Sequence, residues 1–220
     1  IFYSSTFNFF FCSKKLNYIS NGKIAEVSKN NIELILNTKF SYEDDAYDKI
    51  DDIYVQEARK LLPNKNYIAI SITQGNLYRK KSWPLNKVID LSKNLLNKKK
   101  MPVFLIKKNE KILKEKISKA IPEALFPEHE TKLNSPALVT CLGKRVDCAI
   151  TIDNGVMHML SVGKIPIIVL FGPTDAKKFA PSHEVTTILD SKEMYNTDDI
   201  SSISVEDVLK ALEQNLNFSY

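Results

Sequence analysis

The sequence lacks the residue patterns of several familiar kinds of site. Its three cysteines, Cys12, Cys141 and Cys148, form no CxxC pair and have no histidine beside them at ligand spacing. This argues against a structural zinc site and favours reduced thiols in the cytoplasm. The three histidines lie far apart, with no pattern of acidic residues around them, so no metal site is expected. No Gly-x-Ser-x-Gly elbow or HExxH motif is present, which excludes two hydrolase signatures.

Long apolar runs and a strong charge of one sign are missing too. The phenylalanine-rich start, residues 7–11, is too short to span a membrane and lacks the charged region of a signal peptide. The formal net charge is +5, spread over segments that mix lysine and glutamate. Such a balance is weak evidence for nucleic acid, and we expect none as a partner. An enzyme working beside anionic lipid would carry the same charge, so membrane contact stays open.

The 220 residues divide into an irregular first part and a regular second part. We expect residues 1–62 to be the remnant of an N-terminal domain and its linker, in a chain that has lost its beginning. Helical patterns occur there at 25–36 and 54–62, and the acidic stretch 43–52 suits an exposed linker. Residues 63–220 are expected to form a complete C-terminal domain.

Strands and helices alternate in this second part. Apolar runs predict strands at 67–72, 101–106, 148–152, 167–171 and 185–189, with a short strand near 124–126 and a loop after the last strand. Helix starts are predicted at Pro84, at Asn109, at Asn134 or Ser135, and at Ser204. The alternation predicts an α/β fold, a Rossmann-like doubly wound parallel sheet with helices on both faces.

Polar residues follow the first of these strands, at the sheet edge where open α/β folds bind their ligands. Thr73, Gln74, Gly75 and Asn76 lead from that strand to a basic cluster that ends at Lys81. Backbone N–H groups and a lysine in such a loop can hold a pyrophosphate. The pattern is neither GxGxxG nor a Walker loop, and a merely solvated basic surface is an equally good interpretation.

Asp153, Asn154 and Gly155 stand where a later strand gives way to a helix. Gly155 allows close approach of a ligand to the backbone, and Asp153 can accept hydrogen bonds from sugar hydroxyls; an ordinary helix cap explains the same residues. His158, in the first turn, can donate to a phosphate or leaving oxygen, or can be a packing residue. Glu110 begins the helix after the second strand, where it can hold ribose hydroxyls or simply complement the helix dipole.

Three short motifs, taken together, resemble one family. Lys81-Ser82-Trp83-Pro84 is similar to K-x-W-P, residues 153–158 (DNGVMH) to D-[ST]-G-x-x-H, and residues 171–174 (FGPT) to F-G-P-T. These are motifs of glycosyltransferase family 9, the ADP-heptose:lipopolysaccharide heptosyltransferase family, mainly of its C-terminal donor-binding domain. Their order and spacing fit as well, over about residues 67–216.

The resemblance implies a fold of the GT-B type, in which two Rossmann-like domains face each other across a cleft. It implies an inverting, metal-independent glycosyltransferase without a cofactor. Such an enzyme moves a heptose-like sugar from an ADP-sugar donor to a lipopolysaccharide core or similar glycan acceptor. We expect it in the cytoplasm, with peripheral contact to the anionic inner membrane as an option.

The resemblance also implies a set of donor-binding residues. They are Thr73, Gln74, Gly75, Asn76, Lys81, Glu110, Asp153, Asn154, Gly155, His158 and Thr174. Lys81 and the loop Thr73 to Asn76 would hold the phosphates, and Glu110 would touch the nucleoside. Asp153, Gly155 and His158 would position the sugar and the diphosphate. Asn154 departs from the family's usual threonine or serine, which alters its reach. Thr174 would stand close to the cleft.

The general base of the family is a carboxylate near the start of the first domain, and we expect that region to be absent here. The catalytic residue is therefore unknown, and this chain alone should bind a donor better than it transfers a sugar. Two other functions stay open. A non-catalytic nucleotide-sugar-binding module would keep only the pocket, and a UDP-sugar epimerase would share the two-domain architecture.

Overall fold

The structure, a computed structural model, describes residues 22–39, 46–73, 81–181 and 185–217. Gln74, Gly75 and Asn76 of the predicted phosphate loop lie outside the described residues, as does the phenylalanine-rich start. The chain divides into two compact units, residues 1–44 with 177–179, and residues 45–176 with 180–220. The domain boundary predicted after residue 62 stays a prediction.

The smaller unit contains helix α1, Ile24–Leu36, which confirms the predicted helix. The helix ends at Asn37, whose left-handed backbone (φ 52°) lets its N–H bond back to the carbonyl of Glu33. Asparagine tolerates this conformation better than most residues, so it is suited to the end of a helix. The carboxylate of Glu33 also pairs with Lys29 at 2.7 Å and with Lys39 at 3.1 Å.

The larger unit is built on five parallel strands. They are β1 (Tyr67–Ser71), β2 (Met101–Phe104), β3 (Cys148–Ile152), β4 (Ile167–Phe171) and β5 (Thr186–Asp190). Their order is β2-β1-β3-β4-β5, and every neighbouring pair is parallel. An isolated parallel bridge joins Val103 of β2 to Leu125, which lies in the segment predicted as a short strand. With that bridge counted, the order is that of dinucleotide-binding folds, and it reverses between β1 and β3.

Helices precede the first of these strands, connect the strands and follow the last one. They are α2 (Asp52–Leu61), α3 (Leu85–Asn97), α4 (Lys111–Ala120), α5 (Pro136–Gly143), α6 (Gly155–Val162), α7 (Ala176–Phe179), α8 (Ser191–Tyr195) and α9 (Val205–Asn217). Short 3₁₀ turns lie at Ala46–Lys49, Pro127–His129 and Ile200–Ser202. Among the described helices, none is both long and apolar enough to cross a bilayer.

Helices cover both faces of the sheet, which explains why the inner strands β1, β3 and β4 are mostly apolar and buried along their whole length. Successive strand side chains point to opposite faces. On one face, Ile70 and Ile150 belong to a core with Leu91 of α3 and Val208 of α9. On the other face, α6 packs on β3 and β4, and α5 packs on α6. A parallel strand buried on both sides needs apolar residues at every position, as in β4, where all five residues are buried.

Two stretches predicted as loops contain short helices. The acidic stretch 43–52 includes the 3₁₀ turn Ala46–Lys49, where the ring of Tyr47 lies 5.1 Å from the ammonium of Lys144. The loop after β5 contains α8, which is capped by a hydrogen bond of 2.9 Å from the Lys192 N–H to the Asp190 carboxylate. Helices this short have no hydrophobic period, so composition alone suggested loops.

Predicted helix starts agree with the structure except at α4. Ser135 caps α5 by accepting from the Ala137 N–H at 3.2 Å, which decides between Asn134 and Ser135. Asn109 was expected to cap α4, but the cap position belongs to Glu110, whose side chain makes no capping bond. Residue 109 lies in a turn that closes from the Glu110 N–H to the carbonyl of Lys107, so the helix begins one residue later.

Candidate functional site

Lys81 and Asp153 meet where the strand order reverses. The Lys81 ammonium donates to the Asp153 carboxylate and, at 3.4 Å, to the Asp153 carbonyl. Their side chains are only 11% and 10% exposed. A pair this far from water has lost most of its hydration, so each charge is stabilised mainly by the opposite charge of its partner. Two predicted site residues, 72 positions apart in sequence, are thus in direct contact.

The residues that follow Lys81 fix its position. The ring of Trp83 is 2% exposed, and its Nε1 donates to the carbonyl of Ile203 at 3.0 Å. The Lys87 ammonium donates to the same carbonyl at 2.9 Å. Pro84 occupies the cap position of α3, as predicted, with an extended backbone that leads into the helix. In this motif, Trp83 and Pro84 therefore hold the backbone in place, and Lys81 is the residue whose side chain lies at the edge of the sheet.

Asn154 ties the end of β1 to the start of α6. Its Oδ1 accepts a hydrogen bond from the Met157 N–H at 3.1 Å, so Asn154 caps α6. A helix cap was one of the two interpretations of residues 153–155 that the sequence allowed. Its Nδ2 donates to Ser71 Oγ at 3.1 Å and to the Thr73 carbonyl at 3.0 Å. Both ends of the amide are engaged within the protein, so the residue holds two site segments together. Sequence reasoning missed Ser71, because a serine in a buried strand gives no distinctive signal.

Gly155 and His158 leave the start of α6 open to solvent. Among the described residues, a Cβ built at Gly155 would meet one atom within contact range, Met159 Cε at 4.0 Å. The N–H groups of this first turn stand at the positive end of the helix dipole, where a negative charge is stabilised. His158 is exposed on the same turn, which argues against the packing role.

Glu110 presents an acceptor without a partner. Its Oε2 is buried, and no group in the described part of the chain donates to it. Burial raises the pKa of this carboxyl group, and the charge of Lys107 opposes the rise. A buried acceptor left unsatisfied is costly. The side chain is therefore suited to a hydroxyl group supplied from outside the protein.

A cavity of about 420 Å³ lies beside these residues, between the ends of β1 and β2 and the starts of α5 and α6. Its lining is largely apolar and includes Leu105, Val139, Val156 and Met159, together with Thr73 and Glu128. Its size falls within the usual range for a small-molecule site. A second cleft, of about 530 Å³, lies by Tyr67, Met101 and Lys100, at the opposite edge of the sheet. None of the predicted site residues that the structure describes lines that cleft.

In the third motif, Gly172 is needed for close packing, and Thr174 has a hydroxyl group without a partner among the described residues. A Cβ at Gly172 would lie 2.8 Å from Ile200 Cβ and 3.0 Å from the Asp198 carbonyl, so only glycine allows this close approach. The hydroxyl of Thr174 is buried and has no hydrogen-bond partner among the described residues. It is therefore not joined to the Lys81–Asp153 pair in this structure.

Neither of the described cysteines belongs to this edge of the sheet. Cys141 and Cys148 are both free and buried. Burial raises the pKa of Cys148 to about 12, so its thiol is inert at neutral pH. Within the described ranges, no group of three or more His, Cys, Asp or Glu side chains is placed to hold a metal ion.

Comparison with protein-family models shows which family this sheet and site belong to. The model of glycosyltransferase family 9 (heptosyltransferase) matches residues 28–209. The chain belongs to this family. The resemblance of the three motifs to family 9 is thereby confirmed. No curated protein matches the chain.

Solved structures share the fold of this family 9 chain. A family 9 glycosyl transferase from Veillonella parvula matches with a TM-score of 0.76 and 18% identity, over 95% of this chain and 64% of that one. Escherichia coli heptosyltransferase WaaC with ADP matches with a TM-score of 0.69 and 14% identity, over 94% and 61%. UDP-GlcNAc 2-epimerase from Methanocaldococcus jannaschii gives 0.54 and 16%, over 87% and 54%.

At these identities the likeness establishes the fold alone, and it confirms the predicted α/β fold of GT-B type. The chain spans about three fifths of the length of the two glycosyltransferases.

Proposed function

We propose that this family 9 chain is the donor-binding part of a glycosyltransferase that uses an ADP-sugar. The sugar is heptose-like, and the acceptor is a lipopolysaccharide core or similar glycan. The observation that carries the proposal is the buried Lys81–Asp153 pair, held against the open start of α6 by Asn154. Together these groups offer an anion the ammonium of Lys81, which Asp153 pairs in the absence of a ligand, and one helix N-terminus.

The diphosphate of the donor occupies this edge of the sheet. In the ligand-free protein, Asp153 holds the ammonium of Lys81 in place, and an incoming diphosphate competes for that ammonium. The N–H groups at the start of α6 add the equivalent of about half a positive charge. Because Gly155 carries no side chain, a phosphate oxygen can reach those groups. A lysine and a helix N-terminus then take the place of a divalent ion.

The nucleoside extends toward the neighbouring cavity. Glu110 Oε2, buried without a donor in the described chain, accepts a hydrogen bond from a ribose hydroxyl. The apolar lining formed by Leu105, Val139 and Val156 covers the base. The solved WaaC structure contains ADP, which supports an adenine nucleotide for a protein of the same fold.

The reaction is a displacement with inversion. The acceptor hydroxyl oxygen forms a bond to the anomeric carbon, and the bond from that carbon to the diphosphate oxygen breaks. The electron pair leaves with the diphosphate, and a base outside the described site takes the hydroxyl proton. Lys81 and the start of α6 stabilise the charge that develops on the leaving group. His158, exposed on the first turn of α6, donates to the departing oxygen.

Calorimetric titration with ADP, UDP and GDP, and with their sugars, tests this proposal. We expect ADP and ADP-sugars to bind most tightly, and Lys81→Ala to weaken them at least tenfold. Lys119→Ala, which changes an exposed lysine of α4, serves as the matched control and should leave binding unchanged. Binding of UDP-sugars in preference to ADP-sugars would instead favour the epimerase. Tight ADP binding without sugar transfer to any glycan would favour the binding module.

A further inference from the structure

Glu128 lines the cavity of about 420 Å³, and none of the contacts described above involves its carboxyl group. It lies in the 3₁₀ turn Pro127–His129, directly after the Leu125 bridge to β2. Among the described residues, no group donates a hydrogen bond to this carboxyl. The cavity wall also contains Lys107, Lys108, Asn109, Asn134 and Ser135. A few polar groups in a pocket whose remaining lining is apolar are characteristic of the groups that orient a small-molecule ligand.

The segment that carries Glu128 is fixed from both sides. Phe126 stacks on Phe104 of β2 with ring centroids 5.5 Å apart, and the His129 ring meets Phe126 edge-on. The Lys108 ammonium donates to the Thr131 carbonyl and, at 3.2 Å, to the carbonyl of Leu133. Those bonds hold the wall of the cavity that leads to the start of α5. The segment that carries the Glu128 side chain is thus held in place on both sides.

Burial favours the neutral form of Glu128, while the charges around it act in both directions. Burial raises the pKa of the carboxyl group. Lys107 and Lys108, on the loop after β2, oppose the rise, while Glu110 at the start of α4 adds to it. The ammonium of Lys108 is itself engaged with two backbone carbonyls, so it forms no ion pair with Glu128.

We propose that Glu128 reads the base of the donor nucleotide, accepting a hydrogen bond from the exocyclic amino group of adenine and donating one to ring N1. This role rests on the proposed function, because it takes the cavity to be the base site. A neutral carboxyl offers one acceptor beside one donor, which matches N6 and N1 of adenine. An ionised carboxylate, an acceptor only, matches the N1–H and amino group of guanine instead.

Nucleotide binding by two substitutions at this position tests the assignment. Glu128→Gln keeps one donor and one acceptor, so it should bind ADP within about threefold of the unchanged chain. Glu128→Leu removes both, so it should weaken ADP about tenfold to a hundredfold, at about one order of magnitude per hydrogen bond lost. The control is Glu130→Gln, two residues on, whose side chain is 66% exposed and which does not line the cavity.

An altered ligand isolates the contact to ring N1. The diphosphate of 1-deazaadenosine carries a C–H group at that position and cannot accept a hydrogen bond. The unchanged chain should bind it about tenfold more weakly than ADP, whereas Glu128→Leu should not distinguish the two. Equal discrimination by both proteins would overturn the assignment.

The pH dependence of ADP affinity provides a second test, because a purely structural role of Glu128 would not change it. The neutral carboxyl binds adenine, so the ADP affinity of the unchanged chain, divided by that of Glu128→Gln, should rise as pH falls from 8 to 5. The ratio cancels the titration of the ligand's own phosphate. A flat ratio would overturn the proposal, and this comparison needs no variant that risks misfolding.

Failure of this proposal is distinguishable from failure of the proposed function. If the unchanged chain binds none of ADP, UDP and GDP, the donor site itself is wrong. If it binds ADP, and a folded Glu128→Leu variant binds ADP equally well, only the role of Glu128 is wrong.

Discussion

Replacing Lys81 with methionine separates its structural role from its role in binding. Methionine keeps the length of the stem and removes the charge, which leaves the Asp153 carboxylate, only 10% exposed, without its cation. Breaking a buried pair from one side costs about 3–5 kcal/mol, and we expect about 3 because a tenth of each side chain still reaches water. For a chain of this size, that lowers the thermal midpoint by about 6–12 °C.

The double variant Lys81→Met/Asp153→Asn removes both charges and should recover most of the lost stability, since no unpaired charge stays buried. It should not recover binding. A hydrogen bond between an ammonium and a phosphate is worth about 1.5–3 kcal/mol, so both variants should lose at least tenfold in ADP affinity.

Tryptophan fluorescence is the appropriate assay for stability, because Trp83 is the single tryptophan of the chain, lies two residues from Lys81 and is 2% exposed. Calorimetry with ADP measures binding on the same samples, with Lys119→Met as the control. The reasoning is refuted if Lys81→Met is as stable as the unchanged chain, or if the double variant binds ADP normally.

Four further substitutions probe the positions around the pair. Gly155→Ala should leave the thermal midpoint nearly unchanged, because the nearest described atom to the new methyl is 4.0 Å away, yet it should weaken ADP binding in a titration by filling the ligand's space. Gly172→Ala should lower stability in urea by about 1–3 kcal/mol, because its methyl would lie 2.8 Å from Ile200 Cβ. Asn154→Ala removes a helix cap and two further bonds, and should cost about 2–3 kcal/mol in the same assay. Glu110→Gln should stabilise the protein at pH 7 but not at about pH 3.5. The pKa of Glu110 is raised above its ordinary 4.5, so its ionisation costs stability as pH rises through the folded-state value. Urea midpoints at the two pH values measure that difference.

Helix faces and helix caps could be predicted from the sequence because they depend on residues that are close together in the chain. The stripe of Val88, Leu91, Leu95 and Leu96 predicts the buried face of α3; the first three are fully buried, and Leu96 is partly buried against the same core. Ser204 was predicted to cap α9, and it accepts from the Asp207 N–H at 3.0 Å. Each of these signals lies within a few residues of the feature it predicts, so no tertiary knowledge was needed.

Contacts between distant segments could not be read in the same way. The motifs placed Lys81 and Asp153 at one site, but the fact that they pair with each other depends on strand order and register. Asn154 reaches Ser71 across 83 positions, and nothing near either residue encodes that bond. Glu128 gave no sequence signal, since an acidic residue in a polar turn is ordinary. Its position in a cavity wall follows from the fold.

A crystal structure of the chain with ADP tests the central claim most directly. The account predicts that the diphosphate lies against the start of α6, within hydrogen-bonding distance of the Lys81 ammonium, with the adenine in the cavity lined by Val139 and Glu128. ADP bound elsewhere would contradict it, most clearly in the cleft by Tyr67 and Lys100 at the opposite edge of the sheet.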